Sequence, residues 1–117
     1  MATLADVRNI SAGLLGRRRL GQAINASVKD RLDQSYDYVY ADLKDQRIAI
    51  WSSAANTTIP DAVAPHVAAL MAFEATSDIG VDQAHMQRIV LKESKALPAI
   101  RRFAKPDYES LDEAENF

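Results

Sequence analysis

Cysteine is absent from the sequence, and this absence excludes disulfides, thiolate metal sites and cysteine nucleophiles together. A membrane-spanning segment is also lacking, because the most apolar stretch, residues 59–81, is rich in alanine and contains His66 and Glu74. The start, MATLADVRNI, has neither the basic region nor the apolar core of a signal peptide. We therefore expect a protein that makes no membrane contact and stays in a cytoplasm after synthesis.

The usual sequence motifs of enzymes are missing as well. There is no GxSxG motif and no glycine-rich loop followed by Lys and Ser or Thr, so acyl and phosphoryl transfer lack their usual parts. His66 and His85 fall on different predicted helices and have neither HExxH spacing nor an acidic cluster beside them. We expect no catalytic residue, no cofactor and no metal ion. A small cell-wall hydrolase would need a buried acid with a raised pKa, and Glu74 is the acid we would nominate.

Charge is distributed unevenly along a chain of otherwise ordinary composition. With 48% hydrophobic and 26% charged residues, the 117-residue chain is typical of a globular protein with one core. Residues 1–105 contain all 14 Lys and Arg and 11 of the 16 acids, whereas residues 106–117 contain five acids and no base. Such an end is typical of an interaction segment or of a solubilising tail, and both interpretations stay open. We divide the chain into a helical domain, residues 1–105, and an extended acidic C-terminal arm, residues 106–117.

The stretch Ile59–Val81 is the element around which we expect the rest of the domain to pack. Pro60 suits a helix start and Gly80 suits a helix stop. Large apolar residues recur at helical spacing and alanines fill the other faces, so the pattern predicts a helix that is buried nearly all round. Pro65 predicts a bend or a late start. The large residues of the stripe are Ile59, Val63, Val67, Leu70 and Phe73 or Glu74.

Two amphipathic helices are predicted before this stretch. Thr3, with Asp6 three residues later, has capping-box spacing and opens a first helix that should end near Leu15. Ser27 and Asp30 have the same spacing and open a second helix that should cover the central one. The inward stripe of the second helix is Val28, Leu32, Ser35 or Tyr36, Val39 and Leu43.

A loop and a fourth helix complete the predicted fold. A strand at residues 47–51 would have no partner for its backbone groups, so we expect an extended loop whose apolar side chains pack on the bundle. The fourth helix should begin near Asp82 and should kink or end at Pro98. Its inward stripe is Met86, Ile89 or Val90, Glu93 or Ser94, Leu97 and Ile100. The predicted fold class is all-α, a small bundle of about four helices around the alanine-rich central helix.

Arg17, Arg18 and Arg19 are the most conspicuous polar feature, and they lie on a predicted loop between the first two helices. Three guanidinium groups can bind phosphates or carboxylates in forked geometry. A contact with protein, a contact with the DNA backbone and a solvated loop all stay open, although a dedicated nucleic-acid binder is normally basic overall. A small helical nucleic-acid-binding regulator that uses this loop is one of the functions that we consider, beside the small cell-wall hydrolase.

The order of the segments along the chain suggests another function. Five features follow one another along the chain, each occurring once. They are a first helix ending in LG at residues 15–16, a second helix with Tyr36, Asp37 and Leu43 that runs on towards Trp51, IPD at residues 59–61, an alanine-rich helix ending in IGV at residues 79–81, and a fourth helix ending in ALPAIRR at residues 96–102. Over about residues 4–104 this order resembles the head-to-tail connector proteins of tailed double-stranded DNA phages. These are also called adaptor or head-completion proteins, and the resemblance is strongest to the packaged-DNA stabilisation proteins of short-tailed phages.

The resemblance implies a structural virion protein and not an enzyme. Proteins of this family bind beneath the dodecameric portal ring after DNA packaging, form a ring of the same symmetry, close the exit channel and present a platform for the tail. The implied partners are the portal ring, a tail or nozzle protein and identical subunits of a homo-dodecamer, close to the packaged DNA. The implied location is the head-to-tail junction of the virion, and the host cytoplasm before assembly. The candidate protein-interface residues are Arg17, Arg18, Arg19, Tyr108, Leu111 and Phe117.

Overall fold

The computed structural model describes residues 2–17, 24–49, 51 and 58–104. Within this part of the chain there are four helices: α1 (Leu4–Leu14), α2 (Ala26–Asp45), α3 (Ala64–Ala75) and α4 (Gln83–Ala104). Helix α3 contacts each of the other three, so the predicted all-α bundle around the alanine-rich helix is confirmed. The predicted C-terminal arm, residues 106–117, lies outside the described residues.

Helix α1 begins with the predicted capping box. The Asp6 amide donates to the Thr3 hydroxyl at 3.2 Å, and the Thr3 amide donates to the Asp6 carboxylate at 3.0 Å. These bonds stabilise the charged carboxylate, which lowers the pKa of Asp6, with the Thr3 amide as the larger cause. Val7 is fully buried on the inner face of α1, whereas Ile10 is 41% exposed. The helix ends at Leu14, as the pattern predicts.

Helix α2 has the predicted inward stripe but a different cap. Asn25 is the N-cap, and its side-chain oxygen accepts hydrogen bonds from the Ser27 amide at 2.9 Å and the Ser27 hydroxyl at 2.7 Å. The prediction of a Ser27–Asp30 capping box is therefore wrong, because Ser27 is already inside the first turn as a donor. The buried residues of α2 are Leu32, Ser35, Tyr36, Val39 and Leu43, all on the predicted stripe.

Helix α3 starts late, as Pro65 predicts. The helix begins at Ala64 and places Pro65 in its first turn, where the missing N–H would have no partner in the helix. It ends at Ala75, five residues before Gly80, because Thr76 forms the C-cap and a turn follows. Ile59, expected at the start of the helical stretch, instead forms the short strand β2 (Thr58–Ile59). This strand pairs antiparallel with β1 (Ala2–Thr3), and neither strand was predicted.

The buried face of α3 differs from the predicted stripe. Met71 is fully buried, whereas Leu70 is only half-buried and Phe73 is 40% exposed. The reason is the high alanine content: neighbouring helices approach closest where side chains are small, so the core forms around the alanines and Met71. The buried residues of α3 are Ala64, Val67, Ala68, Ala69, Met71, Ala72 and Ala75.

The segment after α2 packs on the bundle, as predicted for an extended loop. Arg47 turns the chain with a positive φ of 62°, a conformation that residues other than glycine rarely adopt. Ile48 and Trp51 are buried, while Ile50 lies outside the described residues. The Trp51 indole N–H donates to the Tyr36 hydroxyl at 2.8 Å. This bond fixes the loop to the buried stripe of α2.

Helix α4 runs without interruption from Gln83 to Ala104. Pro98 lies inside it, so of the two predicted outcomes at Pro98, a kink or an end of the helix, the end is excluded. The proline is exposed, and water can therefore hydrate the carbonyl that loses its hydrogen bond one turn earlier. Ile89 and Ile100 are buried as predicted, while Val90 is 43% exposed.

Candidate interaction surfaces

One end of the bundle is closed by a contact between two loops. The Arg17 guanidinium donates to the Gly80 carbonyl oxygen, which joins the end of α1 to the connection between α3 and α4. Gly16 has a φ of 72°, and a Cβ added there would lie 3.0 Å from Nε2 of His85. Glycine is therefore favoured at position 16 both by its backbone conformation and by the close approach of the ring. Arg18 and Arg19, the other two arginines of the predicted cluster, lie outside the described residues.

A polar cluster joins α2 to the C-terminal end of α3. The Arg31 guanidinium grips both carboxylate oxygens of Glu74, at 2.7 and 3.0 Å, and its Nε lies 2.5 Å from the Asp78 carboxylate. The Ser35 hydroxyl also donates to Glu74. These bonds stabilise both charges: they raise the pKa of Arg31, with Glu74 as the main cause, and lower the pKa of Glu74, with Arg31 as the main cause. The pKa of Glu74 therefore shifts in the direction opposite to that needed by the general acid of a hydrolase.

The outer side of α4 carries an apolar surface, here called the α4 apolar face. Val90 is 43% exposed and Leu91 is 56% exposed, although both are large aliphatic side chains. They adjoin a shallow concave volume of about 640 Å³. Its lining residues are Val81, Gln83, Met86, Gln87, Val90, Leu91 and Ser94. Contiguous exposed apolar surface is one mark of a protein interaction site, so this face is a candidate interface.

A second concave surface, here called the cationic groove, lies between α3 and α4. Its volume is about 240 Å³. The lining residues are Pro65, His66, Ala69, Arg88, Leu91, Lys92 and Lys95. Arg88, Lys92 and Lys95 are exposed and follow one another at spacings of four and three, which places them on one side of α4. Partial burial and the nearby Lys92 charge both lower the pKa of His66, so the groove already disfavours a further positive charge.

A third concave surface, here called the acidic groove, lies on the side of α3 that faces α2 and has the opposite charge. Its volume is about 230 Å³. The lining residues are Tyr38, Val39, Asp42, Leu70, Glu74, Glu93 and Leu97. Leu70 lies in this groove and not in the core, which explains its partial exposure. The bundle therefore presents grooves of opposite charge that share helices α3 and α4.

The site residues proposed from the sequence are only partly placed. Arg17 contacts Gly80, while Tyr108, Leu111 and Phe117 of the arm lie outside the described residues. Arg88, Lys92 and Lys95, here called the cationic row, are not among the interface residues proposed from the sequence. Their spacing in the sequence could have indicated the row, because three cations at spacings of four and three on an amphipathic helix lie on one side of that helix.

In the part of the chain that the structure describes, no group of three or more His, Cys, Asp or Glu is placed to hold a metal ion. No helix among the described residues is both long and apolar enough to cross a membrane. The chain matches no protein-family model, no curated protein and no solved structure.

Proposed function

We propose that this chain is a head-to-tail adaptor of a tailed double-stranded DNA phage. It binds beneath the portal ring after DNA packaging, forms a ring with identical subunits, closes the channel and provides the platform for the tail or nozzle protein. The proposal rests on the order of segments over residues 4–104 and is supported by the all-α bundle that those segments form. In this function the chain is a virion component and uses surfaces, not a catalytic centre.

The observation that carries the proposal is the α4 apolar face. A ring subunit must bury apolar surface against neighbours, because burial of apolar area drives most protein association. Val90 and Leu91 supply such surface at the middle of the longest helix, where they are held on a rigid element. Arg17 and the arm residues Tyr108, Leu111 and Phe117 are further interface candidates on the adaptor.

Co-sedimentation with a portal ring tests the proposal. We expect the wild-type chain to sediment with a purified portal ring of a short-tailed phage. The double variant Val90→Ser with Leu91→Ser should bind at least tenfold more weakly, since each lost apolar side chain removes about 1–2 kcal/mol. A matched control, Ile10→Ser with Phe73→Ser, removes two other exposed large side chains that line none of the three concave surfaces, and it should bind normally. Equal binding by both double variants would contradict a role for the α4 apolar face.

The cationic row on α4 favours a second candidate, a helical nucleic-acid-binding regulator. Arg88, Lys92 and Lys95 have the spacing needed to contact phosphates from one side of a helix, and Arg17 lies on the loop first considered for this role. Three phosphate contacts predict a log–log salt slope of roughly −3 for duplex DNA. A titration of duplex DNA binding from low to physiological salt distinguishes the two functions. A slope of this size that disappears when the three cations are replaced by Ser would favour the regulator over the adaptor.

A further inference from the structure

The cationic groove has an unusual combination of properties that restricts what can occupy it. None of the described residues that line it is acidic, and its floor includes the apolar side chains of Pro65, Ala69 and Leu91. Arg88, Lys92 and Lys95 make no ion pair within the described part of the chain. Like charges three or four residues apart destabilise a helix, so a negative occupant would relieve this repulsion. The groove therefore fits an acidic peptide that also carries apolar side chains.

The chain itself contains a segment of this composition. Residues 106–117, PDYESLDEAENF, contain five acids, no base and three large apolar residues. In the sequence, acidic residues lie on both sides of Leu111. This order matches the cationic groove, in which apolar side chains are bordered by cations. No other stretch of this sequence combines so many acids with an absence of bases.

The position of the segment allows it to reach the groove of its own chain. Helix α4 ends at Ala104, and at about 1.5 Å per residue Lys95 and Arg88 lie roughly 14 and 24 Å before that end. Twelve extended residues span up to roughly 40 Å, which is more than this distance. Occupation of the groove by this segment would require the chain to reverse direction after Ala104, and the sequence at positions 105–108 is KPDY, in which proline followed by aspartate is typical of β-turns.

We propose that residues 107–117 fold back along α4 and occupy the cationic groove of the same chain. The acids of the segment face Arg88, Lys92 and Lys95, and Leu111 packs on the floor beside Leu91. Docking within one chain is favoured over docking on a second copy, because the short connection after Ala104 gives the segment a high effective concentration at its own groove. The contact concerns the free chain and does not depend on the adaptor function.

A paramagnetic label tests this contact without a competing thiol, because the chain contains no cysteine. Ser110→Cys carrying a nitroxide is prepared in the full-length, isotopically labelled chain at high dilution. We expect the amide signals of residues 88–95 to lose most of their intensity and to recover when the nitroxide is reduced. The loss should also be relieved at about 1 M salt, where the Debye length falls to about 3 Å.

Charge reversal provides the matched controls. Lys92→Glu with Lys95→Glu, in the labelled full-length chain, should restore the signals of residues 88–95. Lys29→Glu with Lys44→Glu makes the same change in net charge at exposed positions of α2 and should leave the broadening unchanged. Dispersed signals from the rest of the bundle show that each variant is folded.

Three results would overturn the proposal. The first is an absence of broadening at residues 88–95 in the wild-type background. The second is equal recovery in both charge-reversal variants, which would indicate a general charge effect. The third is broadening that occurs only when a nitroxide-labelled chain is mixed with a separate isotopically labelled chain, which would identify a second copy as the occupant.

Discussion

Arg31 is the residue whose loss should affect the bundle most among its charged side chains. Its guanidinium contacts Glu74, Asp78 and Ser35, and its side chain is only 13% exposed. If Arg31 is removed, the Glu74 carboxylate stays partly buried but loses its strongest hydrogen bonds. The cluster therefore couples the position of α2 to the C-terminal end of α3.

We expect Arg31→Met to lower the free energy of unfolding by ~1–3 kcal/mol, the cost of removing hydrogen bonds to a charged group. Urea denaturation followed by circular dichroism measures this change. Arg88→Met is the matched control, because Arg88 is exposed and has no ion pair among the described residues, and it should change stability by less than ~0.5 kcal/mol. Equal stability of the two variants would mean that the Arg31 cluster does not tie α2 to α3.

The lowered pKa of Glu74 predicts a pH dependence with a definite sign. A carboxyl group whose pKa is lower in the folded state stabilises the fold above its unfolded pKa, which is near 4.5. That contribution is lost as the pH falls from about 4.5 through the lower folded-state value. Wild type should therefore exceed Glu74→Gln in unfolding free energy at pH 7, and the difference should shrink at pH 3. A difference that is constant across this range, measured by urea denaturation, would show that the Glu74 carboxylate gains nothing from Arg31.

At the scale of the element, α3 supplies most of the central packing through small side chains. Seven of its 12 residues are buried, and five of the seven are alanine. Met71 is the largest of these buried side chains, and it lies between α3 and the neighbouring helices with no exposed surface. Leu70, one position earlier, lies in the acidic groove instead.

We expect Met71→Asp to abolish cooperative folding and Leu70→Asp to preserve it. A buried, unpaired carboxylate costs several kcal/mol, compared with a typical domain stability of ~5–15 kcal/mol, whereas a carboxylate at position 70 stays in contact with water. Thermal melting followed by circular dichroism separates the two variants. A cooperative melt for Met71→Asp, or an unfolded Leu70→Asp, would show that the buried side of α3 is the side of Leu70 and not the side of Met71.

How far the sequence predicts these elements depends on how local their causes are. The Thr3–Asp6 capping box and the stripe of α2 were predicted correctly, because both are patterns within a few turns of one helix. Residues 69–72 read ALMA, and a helix that is apolar on all sides has no periodic contrast with which to rank Leu70 against Met71. Which of these two residues is buried depends on where the neighbouring helices pack.

Contacts between distant residues escaped prediction for a related reason. Arg31 and Glu74 are 43 positions apart and have no local pattern that pairs them. The two-residue strands are too short to show alternation, and Thr58–Ile59 was read as the approach to a helix. Asn25 and Ser27 are both good N-caps, so spacing alone could not rank them. Of the proposed interface residues that the structure describes, Arg17 was proposed from the sequence and stays a prediction. The spacing of Arg88, Lys92 and Lys95 is readable in the sequence, but their place beside α3 and the exposure of Val90 and Leu91 required the fold.

At the scale of the whole molecule, the candidate interaction surfaces lie on and beside α4. The α4 apolar face lies on its outer side, the cationic groove separates it from α3, and the acidic groove adjoins both helices together with α2. A subunit of this kind can meet partners of different chemistry on different sides of a single helix.

Electron microscopy of the chain incubated with a purified portal ring tests the adaptor function most directly. We predict additional density beneath the portal, with the rotational symmetry of the ring and the channel closed at its exit. The Val90→Ser, Leu91→Ser variant should leave the portal bare, and the Ile10→Ser, Phe73→Ser control should decorate it. A portal ring that stays unoccupied with the wild-type chain in molar excess, across portals from several short-tailed phages, would contradict the adaptor function.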